Sequence, residues 1–91
     1  MEMVEILKGR LPDGLEIVKV KNRTGRSQVE ILFRCDGFEF TSWLHKTCTP
    51  GHENNVCDKV IFNVLAAVAI KKNDLEKAKY WLDKELHLGH E

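Results

Sequence analysis

The stretch NVCDKVIFNVLAAVAIKK, residues 55–72, decides how the rest of the chain is read. Val56, Cys57, Val60, Ile61, Val64, Leu65 and Val68 recur three and four residues apart, which lines them along one side of an α-helix. Ala66, Ala67, Ala69 and Ile70 then close most of the remaining circumference in its second half. A helix apolar nearly all round is covered on more than one side. Asp58, Lys59 and Asn63 interrupt the run, which is too short and too polar for a membrane span. The spacing predicts the central core helix of a small soluble domain. Asn55 is expected to cap its start, with Asp58 near the positive end of the helix dipole.

Working back from this helix, residues 45–54 (HKTCTPGHEN) read as a long connection punctuated by Pro50-Gly51. Three strand patterns precede it. In residues 38–44, Phe38, Phe40 and Leu44 share one face and Glu39, Thr41 and Trp43 the other. In residues 28–34, Val29, Ile31 and Phe33 alternate with wetter positions such as Glu30 and Arg34. In residues 15–21, Leu15 and Ile17 point one way, and Glu16, Val18 and Val20 the other. Asp36-Gly37 marks a tight hairpin turn, and residues 22–27 (NRTGRS) a longer hairpin loop. Pro12-Asp13-Gly14 is turn chemistry that closes the N-terminal segment. Residues 2–8 fit both periods. Met3, Ile6 and Leu7 at helical spacing favour a short helix.

Beyond the core helix, Asn73 with Glu76 three residues on reads as a capping box opening another helix. Leu75, Ala78, Leu82 and Leu86 are its expected packing stripe, with Trp81 beside it and Gly89 as the C-terminal stop. A gap of one or two residues makes the last two helices an antiparallel hairpin. The expected fold is α+β: a three-stranded antiparallel β-meander packed against a C-terminal α-hairpin, with a short N-terminal helix, (α)βββαα. Phe33, Phe38 and Phe40 should meet Val60, Val64 and Val68.

The 91 residues fit a single domain, 1–91. A hydrophobic fraction of 43% is that of a globular chain rather than a disordered one. Fourteen basic residues balance fourteen acidic ones, which argues against general affinity for nucleic acid but leaves room for a local basic patch. No apolar signal region opens the chain, and three cysteines are not a disulfide framework, so a cytoplasmic protein is expected.

Three groups of residues invite a functional reading. Lys19, Lys21, Arg23 and Arg26 crowd one strand end and hairpin loop, with Arg34 on the same sheet. Such a group suits phosphates or an acidic protein groove, unless it only guards an edge strand. Trp43 and Trp81 are aromatic candidates for an interface, each with an alternative as ordinary packing. Adjacent Tyr80 and Trp81 cannot both face the core helix. Cys48, His52 and Cys57 carry zinc-compatible donors, but their spacing is not a paired Cys-x2-Cys pattern. Read blandly, they are small buried or surface thiols. Cys48 with His45 or His52, oriented by Glu53 or Asp58, has the composition of a nucleophile pair but lacks a readable oxyanion arrangement. No catalytic residue and no cofactor is therefore assigned.

The order helix, three antiparallel strands, helix over residues 2–70, with Asp36-Gly37-Phe38-Glu39-Phe40 opening the third strand, resembles double-stranded-RNA-binding domains. The resemblance implies shape readout of an A-form duplex. Where that family carries a lysine cluster at the start of the last helix, residues 53–59 here hold Lys59 alone among two acids. The leading expectation is a non-enzymatic protein-binding module, a phage-type inhibitor or adaptor by analogy of size and fold. The alternatives are nucleic-acid binding through residues 19–26 and a small zinc-stabilised domain.

Overall fold

A computed structural model describes residues 2–88. The order is α1 (Met3–Lys8), β1 (Leu15–Lys21), β2 (Gln28–Cys35), β3 (Phe38–His45), α2 (Glu53–Lys71) and α3 (Leu75–Leu88). The strands form one antiparallel sheet in the order β1-β2-β3. This is the α+β meander with a helical hairpin that the sequence predicts, and residues 3–8 are helical, burying Met3 and Leu7. No described helix is long and apolar enough to cross a membrane.

The sheet turns its Val29, Ile31, Phe33 and Leu44 side chains toward Cys57, Ile61, Val64 and Val68 of α2. Phe38, Phe40 and Val60 pack at the margin of that core. Asp36 and Gly37 both take positive φ, 52° and 84°, which gives the two-residue turn a twist matching its strands and sets Cys35 opposite Phe38.

β1 departs from simple alternation. Ile17 pairs with Phe33 and Lys19 with Leu32, so Val18 is an extra residue bulged out of the ladder. Val18 is 41% exposed, and beyond it the phase flips. Val20 joins Leu15 and Ile17 on the core side, and Lys19 and Lys21 fall on the opposite face. A plain period of two puts Val20 on the wrong face.

The helix ends also differ from expectation. α2 begins at Glu53, with His52 rather than Asn55 at the cap position. Asp58 serves α1 instead of the dipole: Arg10 donates to both of its carboxylate oxygens at 2.7 Å, tying the end of the first helix to α2. Asn73 does not cap α3. It takes φ 60° and ends α2, with Asn73 N–H donating to Ile70 carbonyl and Asp74 N–H to Ala69 carbonyl, the paired bonds of a Schellman stop. Asp74 is the cap, its Oδ1 accepting from Lys77 N–H at 3.1 Å.

α3 is rotated from its predicted stripe. Ala78 is buried and Trp81 stacks on Phe62 of α2, ring centroids 5.6 Å apart. Leu75, Leu82 and Leu86 are 70%, 40% and 65% exposed. With Trp81 turned inward onto Phe62, the leucines about a quarter-turn round the helix swing out. The expected stop at Gly89 lies outside the described residues.

Candidate functional site

With both α1 and α2 on one side of the sheet, no described element covers the other side. Three rows cross it. Glu16, Arg34 and Glu39 form the row nearest the Asp36-Gly37 turn, where Arg34 donates to Glu39 at 2.6 Å. That hydrogen bond raises the arginine pKa, so Arg34 stays charged but spends its charge on Glu39. The middle row is Lys19, Leu32 and Thr41. The third is Lys21, Glu30 and Trp43, with Lys21 Nζ 3.6 Å from Glu30. Past it, Gln28 Nε2 lies 3.3 Å from His45 Nε2.

Trp43 is 53% exposed, a large apolar ring left in water. Beside it the β1–β2 loop is held in place rather than trailing. Arg23 carbonyl accepts from Arg26 N–H at 3.3 Å and from Lys46 Nζ at 2.9 Å, and Lys46 N–H donates to Ser27 carbonyl at 3.0 Å. The loop is thus tied to the end of β3, and Arg23 and Arg26 stand exposed, lining one depression with the indole.

The result is a shallow depression of about 290 Å³ lined by Lys21, Arg23, Arg26, Ser27, Gln28, Glu30 and Trp43. A second, of about 190 Å³, continues along the same face between Lys19, Lys21, Glu30, Leu32 and Thr41. Three cations against one carboxylate line the first depression, so an anionic group meets net positive charge there. Of the sequence-derived candidates, Lys19, Lys21, Arg23, Arg26 and Trp43 converge. Arg34 shares the face but sits at its far end. Trp81 belongs to the helical hairpin, and Tyr80 takes the exposed aromatic position there.

Glu30, Gln28 and Lys46 escape the sequence reading. A signal for the first two was present: the two-residue turn at Asp36-Gly37 fixes the register, and counting back from it puts Glu30 opposite Trp43 and Gln28 opposite His45.

The cysteine–histidine group does not assemble. Cys57 is buried, its thiol donating to Met3 carbonyl at 3.7 Å, and burial pushes its pKa up to about 11. That is the opposite of an activated nucleophile or a ready metal thiolate. Cys48 Sγ lies 3.9 Å from Met3 Sδ, Glu53 accepts from Gly51 N–H at 2.6 Å, and His45 faces Gln28 across the strands. Among the described residues no three metal-binding side chains converge.

Fold and face together define a small α+β module with one sheet surface presented to solvent. No protein family, curated protein or solved structure matches the chain.

Proposed function

We propose that this protein is a non-enzymatic binding module that holds an acidic protein segment against the open face of its sheet, acting as an inhibitor or adaptor by occupancy. The observation that carries the reading is Trp43, half in water on a face no described helix covers, with Lys21, Arg23 and Arg26 around the depression it floors. Tryptophan and arginine are the residues that anchor interfaces most strongly. The loop is pinned through Lys46, so little ordering is needed on binding. A cytoplasmic setting suits its three free thiols.

Nucleic acid is the second reading, favoured by the neighbourhood of an exposed aromatic ring and basic side chains, a stacking platform for single-stranded bases. Glu16, Glu30 and Glu39 on the same face oppose an extended phosphate track, and this favours protein.

A peptide-display selection against the whole chain tests the choice. Enriched peptides should be acidic with an apolar anchor, and should bind the Trp43→Ala and Arg23→Glu/Arg26→Glu variants at least about tenfold more weakly. Equal affinity in both variants refutes the site. Binding of an oligo-dT strand that weakens steeply with salt, with no peptide enriched, transfers the surface to nucleic acid.

A further inference from the structure

The outward leucines of α3 have no part in the sheet-face reading. At about 100° per residue, Leu75, Leu82 and Leu86 fall within a narrow strip roughly a quarter-turn from the Ala78 and Trp81 side that packs on α2. Ile70, 52% exposed at the end of α2, stands just before the same hairpin turn. Lys79 and Asp83 border the strip on the flank away from α2, one turn apart. Among the described residues, neither takes an ion-pair partner.

We infer that this strip pairs with the same strip of a second copy, α3 against α3 in antiparallel, as a reversible homodimer. The pattern of charge selects the occupant. A two-fold axis passing level with the Tyr80–Trp81 step sets Leu75 over the partner copy's Leu86 position and Leu82 beside the Lys79 stem. The same rotation leaves the bordering flanks adjacent, so Lys79 of each copy comes level with Asp83 of the other, and two ion pairs form. A surface bearing both signs in this order is complementary to itself, as an isologous contact requires. A partner of one sign would leave one residue of each pair repelled. The chain's zero formal charge removes long-range repulsion between copies.

A fourteen-residue helix is only about 21 Å long, so the contact falls short of the area that tight dimers bury. The dimer should therefore form in a concentration-dependent way. Sedimentation equilibrium up to about 1 mM should show a monomer–dimer equilibrium. Leu75→Glu/Leu86→Glu should be monomeric throughout, with unchanged circular dichroism, because both side chains are already in water. Lys79→Asp and Asp83→Lys should each weaken association roughly tenfold, and the double swap should restore it. A wild-type chain that is monomeric throughout overturns the proposal. So does a dimer that survives the leucine substitutions, or a double swap that fails to recover association.

Discussion

Deleting one residue from a strand interior ordinarily turns every later side chain to the wrong face. Deleting Val18 should not. The bulge makes Val18 surplus: without it, Ile17, Lys19, Val20 and Lys21 already oppose Phe33, Leu32, Ile31 and Glu30 in regular order. Fully burying a valine stabilises by about 1.5–3 kcal/mol, and Val18 is 41% exposed, so its loss costs about 1 kcal/mol. One fewer backbone residue to order, about 1–2 kcal/mol, offsets this. The net change should lie within about 1 kcal/mol of wild type. Deleting Val20 is the contrast. Whether the strand keeps its bulge or irons it out, a lysine, Lys21 or Lys19, then faces the core side opposite Ile31, which is fully buried. Lost valine burial and a lysine forced to bend away from apolar neighbours should cost about 3 kcal/mol or more. Urea and thermal melts of the two deletions decide it. For a domain this size each kcal/mol moves Tm by about 4–8 °C, so in the thermal melts the deletions should differ by about 8 °C or more. Equal damage from both would refute the bulge, and with it the placement of Lys19 and Lys21 beside Trp43.

Three further outcomes follow from the packing. Phe33, fully buried beneath α2, should cost about 3–5 kcal/mol as Phe33→Ala, enough to unfold much of a small domain, whereas Trp43→Ala should change stability by less than about 1 kcal/mol in the same urea assay. Cys57 is protonated more tenaciously in the fold than outside it, so its contribution is complete below the ordinary thiol pKa of 9.0 and is lost as pH rises through 9 toward 11. Urea melts at pH 8 and pH 10.5 should differ by about 2 kcal/mol in wild type. The difference should shrink in Cys57→Ala without vanishing, since burial raises the Cys35 thiol as well. Asp58→Asn should lower stability by about 0.5–1.5 kcal/mol by releasing Arg10, a partly exposed two-point ion pair, with the loss read as a lower denaturation midpoint.

The elements themselves were legible because their periods are clean: alternating Val29, Ile31 and Phe33, the Asp-Gly turn, and the three- and four-residue spacing of α2. What misled were places where one residue breaks the period or two readings compete. Val18 inserts a phase change that no alternation count can see. Asn73 suits both a helix cap and a left-handed helix stop, and the bond from Asp74 N–H to Ala69 decides for the stop. Leucine spacing in α3 reads as packing, but the adjacent Trp81 takes the contact with α2 by stacking on Phe62. The candidate face was half visible. Its cations cluster in sequence, and Trp43 alternates away from Phe40 and Leu44. That no described element covers it depends on where both helices pack, and no local pattern states that.

Trp43 stands open to water among positive charges, and quenching measures this directly. In Trp81→Phe, Trp43 is the one tryptophan left, and its fluorescence can be quenched by iodide or by caesium. Lys21, Arg23 and Arg26 should concentrate the anion and repel the cation, so iodide should quench several-fold more strongly and lose that advantage as salt screens the charges. Equal quenching by both ions, or an indole that neither reaches, would contradict the account.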